Sequence, residues 1–114
     1  MPHLKIQTNL PIGKKSQQSL LRGASALVAR ELAKPADLVL VTLEPDAVML
    51  FAGTDDPVAF LELVSVGLSA PRTKALSQDL CELVEEHLGI ARDRVYFKFI
   101  SGSRGMWGFK GEAL

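Results

Sequence analysis

Residues 3–9, HLKIQTN, set Leu4 and Ile6 against His3, Lys5 and Gln7, the period of two that predicts a strand with one buried face. LPIGKK then breaks the pattern with Pro11 and Gly13. From Ser16, a side chain suited to an N-cap, the apolar positions Leu20, Leu21, Ala24, Leu27, Val28 and Leu32 recur at helical spacing. Pro35 ends that helix, because the residue before a proline is pushed out of the α region. LVLVTL (38–43) is a continuous apolar run and predicts a strand buried on both faces. EPD reads as a turn, AVMLFAG as a further apolar strand and GTDDP as a second turn. VAFLELVSV (58–66) predicts a long strand closed by Gly67. A second helix from about Arg72 carries Ala75, Leu76, Leu80, Leu83, Val84 and Leu88 on one stripe, with Gly89 as the residue that ends it. RVYFKFI is the last long strand, Val95, Phe97 and Phe99 facing one way and Tyr96, Lys98 and Ile100 the other. SGSRG reads as a loop and MWGF as one short strand.

The two halves repeat a pattern rather than residues: 4–38 and 60–95 each run strand, helix, strand over nearly equal lengths. Two right-handed βαβ units predict an α/β (α+β) domain, with both helices on one face of a four-stranded sheet. That leaves the other face bare, although LVLVTL, AVMLFAG and VAFLELV read as apolar on both sides. A bare apolar sheet exceeds the few hundred Å² that a soluble monomer exposes, so a second copy of the chain is expected to cover it.

Composition narrows the function classes. The 114 residues match one domain, 1–114, and 47% hydrophobic content suffices for a core. Thirteen cationic and thirteen anionic side chains cancel, which argues against nucleic-acid or anionic-membrane partners. Cys81 stands alone, so neither an intrachain disulfide nor a cysteine metal cluster is expected. His3 and His87 lack metal-ligand spacing and read as surface residues. No apolar run spans a bilayer and no signal-peptide pattern opens the chain, which together predict a cytoplasmic protein.

Pro2, directly behind Met1, has two readings. One is a strand-entry proline whose missing N–H does no harm. The other depends on trimming of Met1, which leaves a free secondary amine; with Met1 in place the same nitrogen is an amide. An α-amino group titrates near 8 in water, and an apolar pocket or a neighbouring cation lowers that value toward the range of a good general base.

MPHLKIQTN, KP at the end of the first helix, EPDAVMLFAG, SVG, DLCELVEEHLGI and DRVYFKF followed by WGF, in this order and spacing, resemble the macrophage migration inhibitory factor family of the tautomerase superfamily over almost the whole chain. The resemblance implies a homotrimer whose sheets wrap into a central barrel with the helices outside. It also implies removal of Met1, Pro2 as the catalytic base, no cofactor, and a small enolisable acid of the phenylpyruvate or dopachrome type as substrate. Lys34 matches the family lysine that meets the substrate's carboxylate or carbonyl oxygen; taken alone it suits a helix C-terminus. Val66 stands where the family usually has isoleucine, beside the base, and otherwise reads as a strand-end apolar residue. Tyr96 matches a tyrosine supplied by a neighbouring subunit, though an amphipathic aromatic on a sheet face is common; Trp107 and Phe109 match residues around the pocket mouth, and packing alone explains those two equally.

Departures from the family pattern carry their own expectations. Lys98 replaces the usual asparagine and adds a second cation to the substrate-binding set, and Phe109 replaces a tryptophan. The tail KGEAL differs from the family's ending. Val58 and Leu61 stand where the animal cytokines have a two-cysteine motif, so no thiol–disulfide activity is expected. Two rival readings remain: a non-catalytic, cytokine-like signalling protein on the same trimer, and a ferredoxin-like regulatory or RNA-binding module with the same order of elements.

Overall fold

Two parallel strand pairs, each bridged by its own helix, meet through one antiparallel contact to form a single four-stranded sheet. The computed structural model describes residues 1–113. Its elements are β1 (His3–Thr8), α1 (Lys14–Leu32), β2 (Leu40–Glu44), β3 (Ala59–Val66), α2 (Ala70–Leu88), β4 (Val95–Gly102), β5 (Gly108–Phe109) and β6 (Glu112–Ala113). Short 3-10 turns lie at Ala36–Leu38, Arg92–Arg94 and Arg104–Met106. The sheet order is β2-β1-β3-β4, with β1 parallel to β2 and β3 parallel to β4. Parallel partners are direct neighbours. A split βαβ places another strand between them, so the ferredoxin-like reading fails on topology.

The predicted helix-facing positions make the core. Leu4 and Ile6 of β1 and Leu61 and Leu63 of β3 are buried with Leu20, Ala24 and Val28 of α1 and Leu76, Leu80 and Val84 of α2. Both helices therefore cover the same face. Helix α1 starts earlier than Ser16: Gly13, in extended backbone, precedes it, and Ser16 lies inside the first turn. Helix α2 likewise starts before Arg72, with Pro71 in its first turn, where a missing N–H breaks no helical bond. Gly89 caps α2 in the left-handed region at φ +69°, as its position predicts. Cys81 is buried in α2, and that burial pushes its thiol pKa up. No helix among the described residues is long and apolar enough to cross a membrane.

Four expectations about strands and the sheet need correction. The run 38–43 is not a strand buried on both faces: Leu38 ends a 3-10 turn, and β2 is an edge strand whose Leu40 is 58% exposed. AVMLFAG is not a strand within one chain. Its Ala47 N–H donates to Thr8 O, but no strand runs beside the following residues, so Val48 and Leu50 project into solvent. MWGF forms the start of a two-stranded hairpin, β5 against β6, rather than a lone strand.

The bare sheet face is the fourth correction, because it is not apolar from end to end. Register sets Thr42, Lys5, Glu62 and Lys98 in one row across all four strands. Lys5 Nζ lies 3.7 Å from Glu44, and Lys98 Nζ lies 3.7 Å from Glu62. Apolar surface remains on either side of that polar row, at Leu40 and Ile100 and at Tyr96. His3 is half-buried rather than on the surface, its Nε2 2.9 Å from Thr42 Oγ1, and His87 is half-buried as well.

Leu63 is 1% exposed at the centre of this core. Leu63→Ala is expected to lower unfolding free energy by about 2–5 kcal/mol, read as a drop in urea midpoint at unchanged m-value.

Candidate active site

The amino end of β1 opens into a cavity of about 350 Å³ between β2 and the carboxy-terminal hairpin. Pro2 is fully buried in its wall, and the Leu40 N–H donates to the Pro2 carbonyl at 3.1 Å, fixing the start of β1 against β2. Met1, ahead of β1, and His3 at its start line the cavity, and Trp107, Gly108 and Phe109 close the opposite side. The remaining wall, residues 37–40, runs through the turn that Pro35 starts and into β2. Reading 38–43 as one strand missed Asp37 and Leu38 as wall residues; the visible signal was Pro35 itself, which resets the chain direction after α1.

The terminal amine of this chain is that of Met1, and Pro2 N is an amide. Even so, that amine's pKa is held below its ordinary value of 8.0, first by burial and second by the charge of Lys34. Lys34 stands just past α1: Ala33 turns left-handed at φ 51°, and Lys34 N–H bonds back to Ala29 O at 3.0 Å. Its position just past the helix C-terminus leaves its charge close enough to act on the Met1 amine.

Trp107 owes its place to a glycine. A Cβ on Gly102 would collide with the indole nitrogen of Trp107, so only a bare backbone lets the ring lie across the end of β4. Phe109 is 41% exposed at the mouth, with Lys110 Nζ 5.5 Å from its ring centre.

The other predicted residues do not join this cavity within one chain. Val66 ends β3 beside Gly102, past the residue that pairs with His3, and does not contribute to the lining. Tyr96 pairs with Phe60, which pairs with Gln7. Five residue steps along β1 separate Gln7 from Pro2, about 17 Å at roughly 3.3 Å per residue. Lys98 sits in the charged row, ion-paired to Glu62. Pro2, Trp107 and Phe109 therefore line the cavity at one end of the sheet, Lys34 stays outside the lining and acts on the Met1 amine through its charge, and Tyr96 and Lys98 lie on the bare face near the other edge.

Two parallel βαβ repeats joined in one four-stranded sheet, with a cavity at the amino end of β1, define the class. The chain belongs to the macrophage migration inhibitory factor family: residues 1–114 match the family described as Macrophage migration inhibitory factor (MIF). A macrophage migration inhibitory factor homolog of Brugia malayi is 31% identical over 115 residues, spanning 100% of this chain and 99% of that protein. The Mus musculus macrophage migration inhibitory factor is also 31% identical, with the same coverage. Among solved structures, a macrophage migration inhibitory factor homologue from Prochlorococcus marinus superposes with a TM-score of 0.92 at 32% identity, covering 97% of each chain. The Trichinella spiralis macrophage migration inhibitory factor gives 0.89 at 29% identity, covering 98% of this chain and 99% of its own.

Gly102→Ala is expected to push Trp107 out of the cavity wall. As Trp107 is the single tryptophan, the displacement reads directly as a red shift of intrinsic fluorescence without loss of the helical circular-dichroism signal.

Proposed function

We propose that this chain is a cofactor-free keto–enol tautomerase whose base is the Pro2 amine, freed by removal of Met1, and that it works as a homotrimer on phenylpyruvate-like or dopachrome-like acids. The observation that carries this reading is the terminal amine at an apolar cavity, its pKa lowered by burial and by Lys34. Removing Met1 moves the free amine one residue inward, to a position already buried.

The proton transfers follow from the chemistry. Neutral Pro2 nitrogen takes a proton from the carbon beside the substrate carbonyl and becomes an ammonium. Electron density moves onto the carbonyl oxygen, where the Lys34 cation stabilises the developing charge. Returning the proton to that oxygen gives the enol, and the reverse sequence gives the keto acid. A ring amine pinned through its own carbonyl by Leu40 needs little reorganisation before it reacts. Family membership supports the same activity class.

The homotrimer draws support from unmet surface in the single chain. Val48 and Leu50 project from an unpaired extended segment, β2 is an open edge, and Leu40 and Tyr96 leave apolar area on the bare sheet face. On this reading Tyr96 and Lys98 line a neighbouring subunit's cavity, since about 17 Å of strand keeps Tyr96 from its own Pro2. Lys98 then presents a cation already matched by Glu62, which leaves Lys34 as the main carboxylate partner.

Intact mass paired with phenylpyruvate turnover tests the mechanism. Protein lacking Met1 is expected to be active, and chain that keeps Met1 to be slower by about 10²–10⁴-fold, the usual share of general acid–base catalysis. Pro2→Gly keeps a primary amine on a freer backbone and falls between them. Full turnover with Met1 in place overturns the mechanism; a trimer with no turnover in the processed form favours the signalling reading.

The pH profile has a defined sign. Activity follows the unprotonated amine, so kcat/KM falls only as pH drops through a pKa lower than that of a free α-amino group. Lys34→Gln removes one of the two causes of lowering and is expected to move that acid limb to higher pH, measured on phenylpyruvate between pH 5 and 9.

A further inference from the structure

Arg94 precedes β4 in the turn Arg92–Arg94, and its guanidinium gathers one loop. It donates from Nη1 to Phe51 O at 2.6 Å, from Nη2 to Asp56 O at 2.7 Å and Thr54 O at 3.4 Å, and from Nε to Pro57 O at 3.2 Å. The same group lies 5.2 Å from the centre of the Phe51 ring. On the other side of the loop, Asn9 Nδ2 donates to Asp55 O at 2.9 Å and to Asp56 O at 3.2 Å, and Asn9 Oδ1 accepts from Val58 N–H. Phe51 and Thr54 exchange N–H···O bonds around Ala52 and Gly53, both in the left-handed region. Ala52 is strained there, so the turn needs outside support.

The loop's one aromatic ring points at Tyr96. Phe51 meets Tyr96 edge-on at 6.0 Å with a 76° interplanar angle, and Phe60 flanks Tyr96 at 6.1 Å. Tyr96 is 57% exposed, and a side chain that open ordinarily samples several rotamers. Here two rings confine it, and one of them is held by a charged group with four carbonyl partners.

We infer that Arg94 is a positioning residue: by clamping the 51–57 loop it fixes Phe51, and through Phe51 it fixes the direction in which Tyr96 presents its phenol. This rests on the tautomerase reading only where Tyr96 serves as a substrate wall; the clamp itself is independent of that reading. Arginine suits the role because its planar fork reaches several carbonyls at once, whereas lysine offers a point charge.

Tyr96 is the single tyrosine, so ¹³Cζ-tyrosine labelling gives one NMR signal that reports on its ring in the full, Met1-free protein. Arg94→Lys is expected to move that signal toward its position in Phe51→Leu, because both variants remove the same edge contact. With phenylpyruvate, both are expected to raise KM roughly tenfold with kcat within about twofold of wild type, the signature of lost binding rather than lost chemistry. The double variant is expected to be no worse than either alone, as for two residues acting through one contact. A signal that stays in place in folded Arg94→Lys, additive KM effects, or a fall in kcat with KM unchanged overturns the proposal. If Arg94→Lys does not fold, Phe51→Leu with wild-type KM overturns it equally. Wild type without turnover refutes the tautomerase reading instead, and the tyrosine signal then decides the clamp alone.

Discussion

The structure turns on one backbone hydrogen bond, Leu40 N–H to Pro2 O, which ties the start of β1 to β2 at a crevice wall. A chain terminus ordinarily frays, because its last residues bury little. Here Pro2 is fully buried, and β1 runs between a parallel and an antiparallel neighbour, so the terminus inherits the rigidity of the sheet centre. The Met1 amine just outside it is held below its ordinary pKa, first by lost hydration and second by the charge of Lys34 at the end of α1. Both effects act against protonation.

The βαβ connection explains how one short helix end serves two purposes. Helix α1 must return the chain from the far end of β1 to its near end so that β2 lies parallel. Its C-terminus therefore arrives beside the amino end of β1, carrying Lys34, and the turn after Pro35 lays residues 37–40 along the cavity. The second repeat does the same for β3 and β4, and the segment after β4 folds Trp107 over Gly102 to close the other side.

Much of this was legible in residue patterns. Alternation in HLKIQT and the helical stripes through Leu20–Val28 and Leu76–Val84 located the core, because burial on one face leaves a period in the sequence. The strand at AVMLFAG was misread for the converse reason. Apolar content records that a segment is to be covered, not which chain covers it, and within one chain Val48 and Leu50 find no neighbour. The bare face was misread because Lys5, Glu62 and Lys98 lie far apart in sequence and align only through register. Of the residues that line the cavity, Pro2, Trp107 and Phe109 had been named through family resemblance. Asp37 and Arg94 were not, since a wall made by backbone direction and a clamp made to carbonyl oxygens leave no side-chain pattern.

The bare sheet face and the cavity pose a common question of what completes them. Glu44, Lys5, Glu62 and Lys98 form two ion pairs on an otherwise half-apolar surface, a composition suited to a hydrated interior more than to a dry interface. Tyr96, steered by Phe51 and Phe60, stands at the edge of that face. The proposed chemistry depends on the state of one nitrogen, and the direct measurement is an NMR titration of the Pro2 ring signals in the assembled, Met1-free protein. A midpoint clearly below the value of about 8 for a free α-amino group is predicted; a midpoint at or above that value contradicts the account.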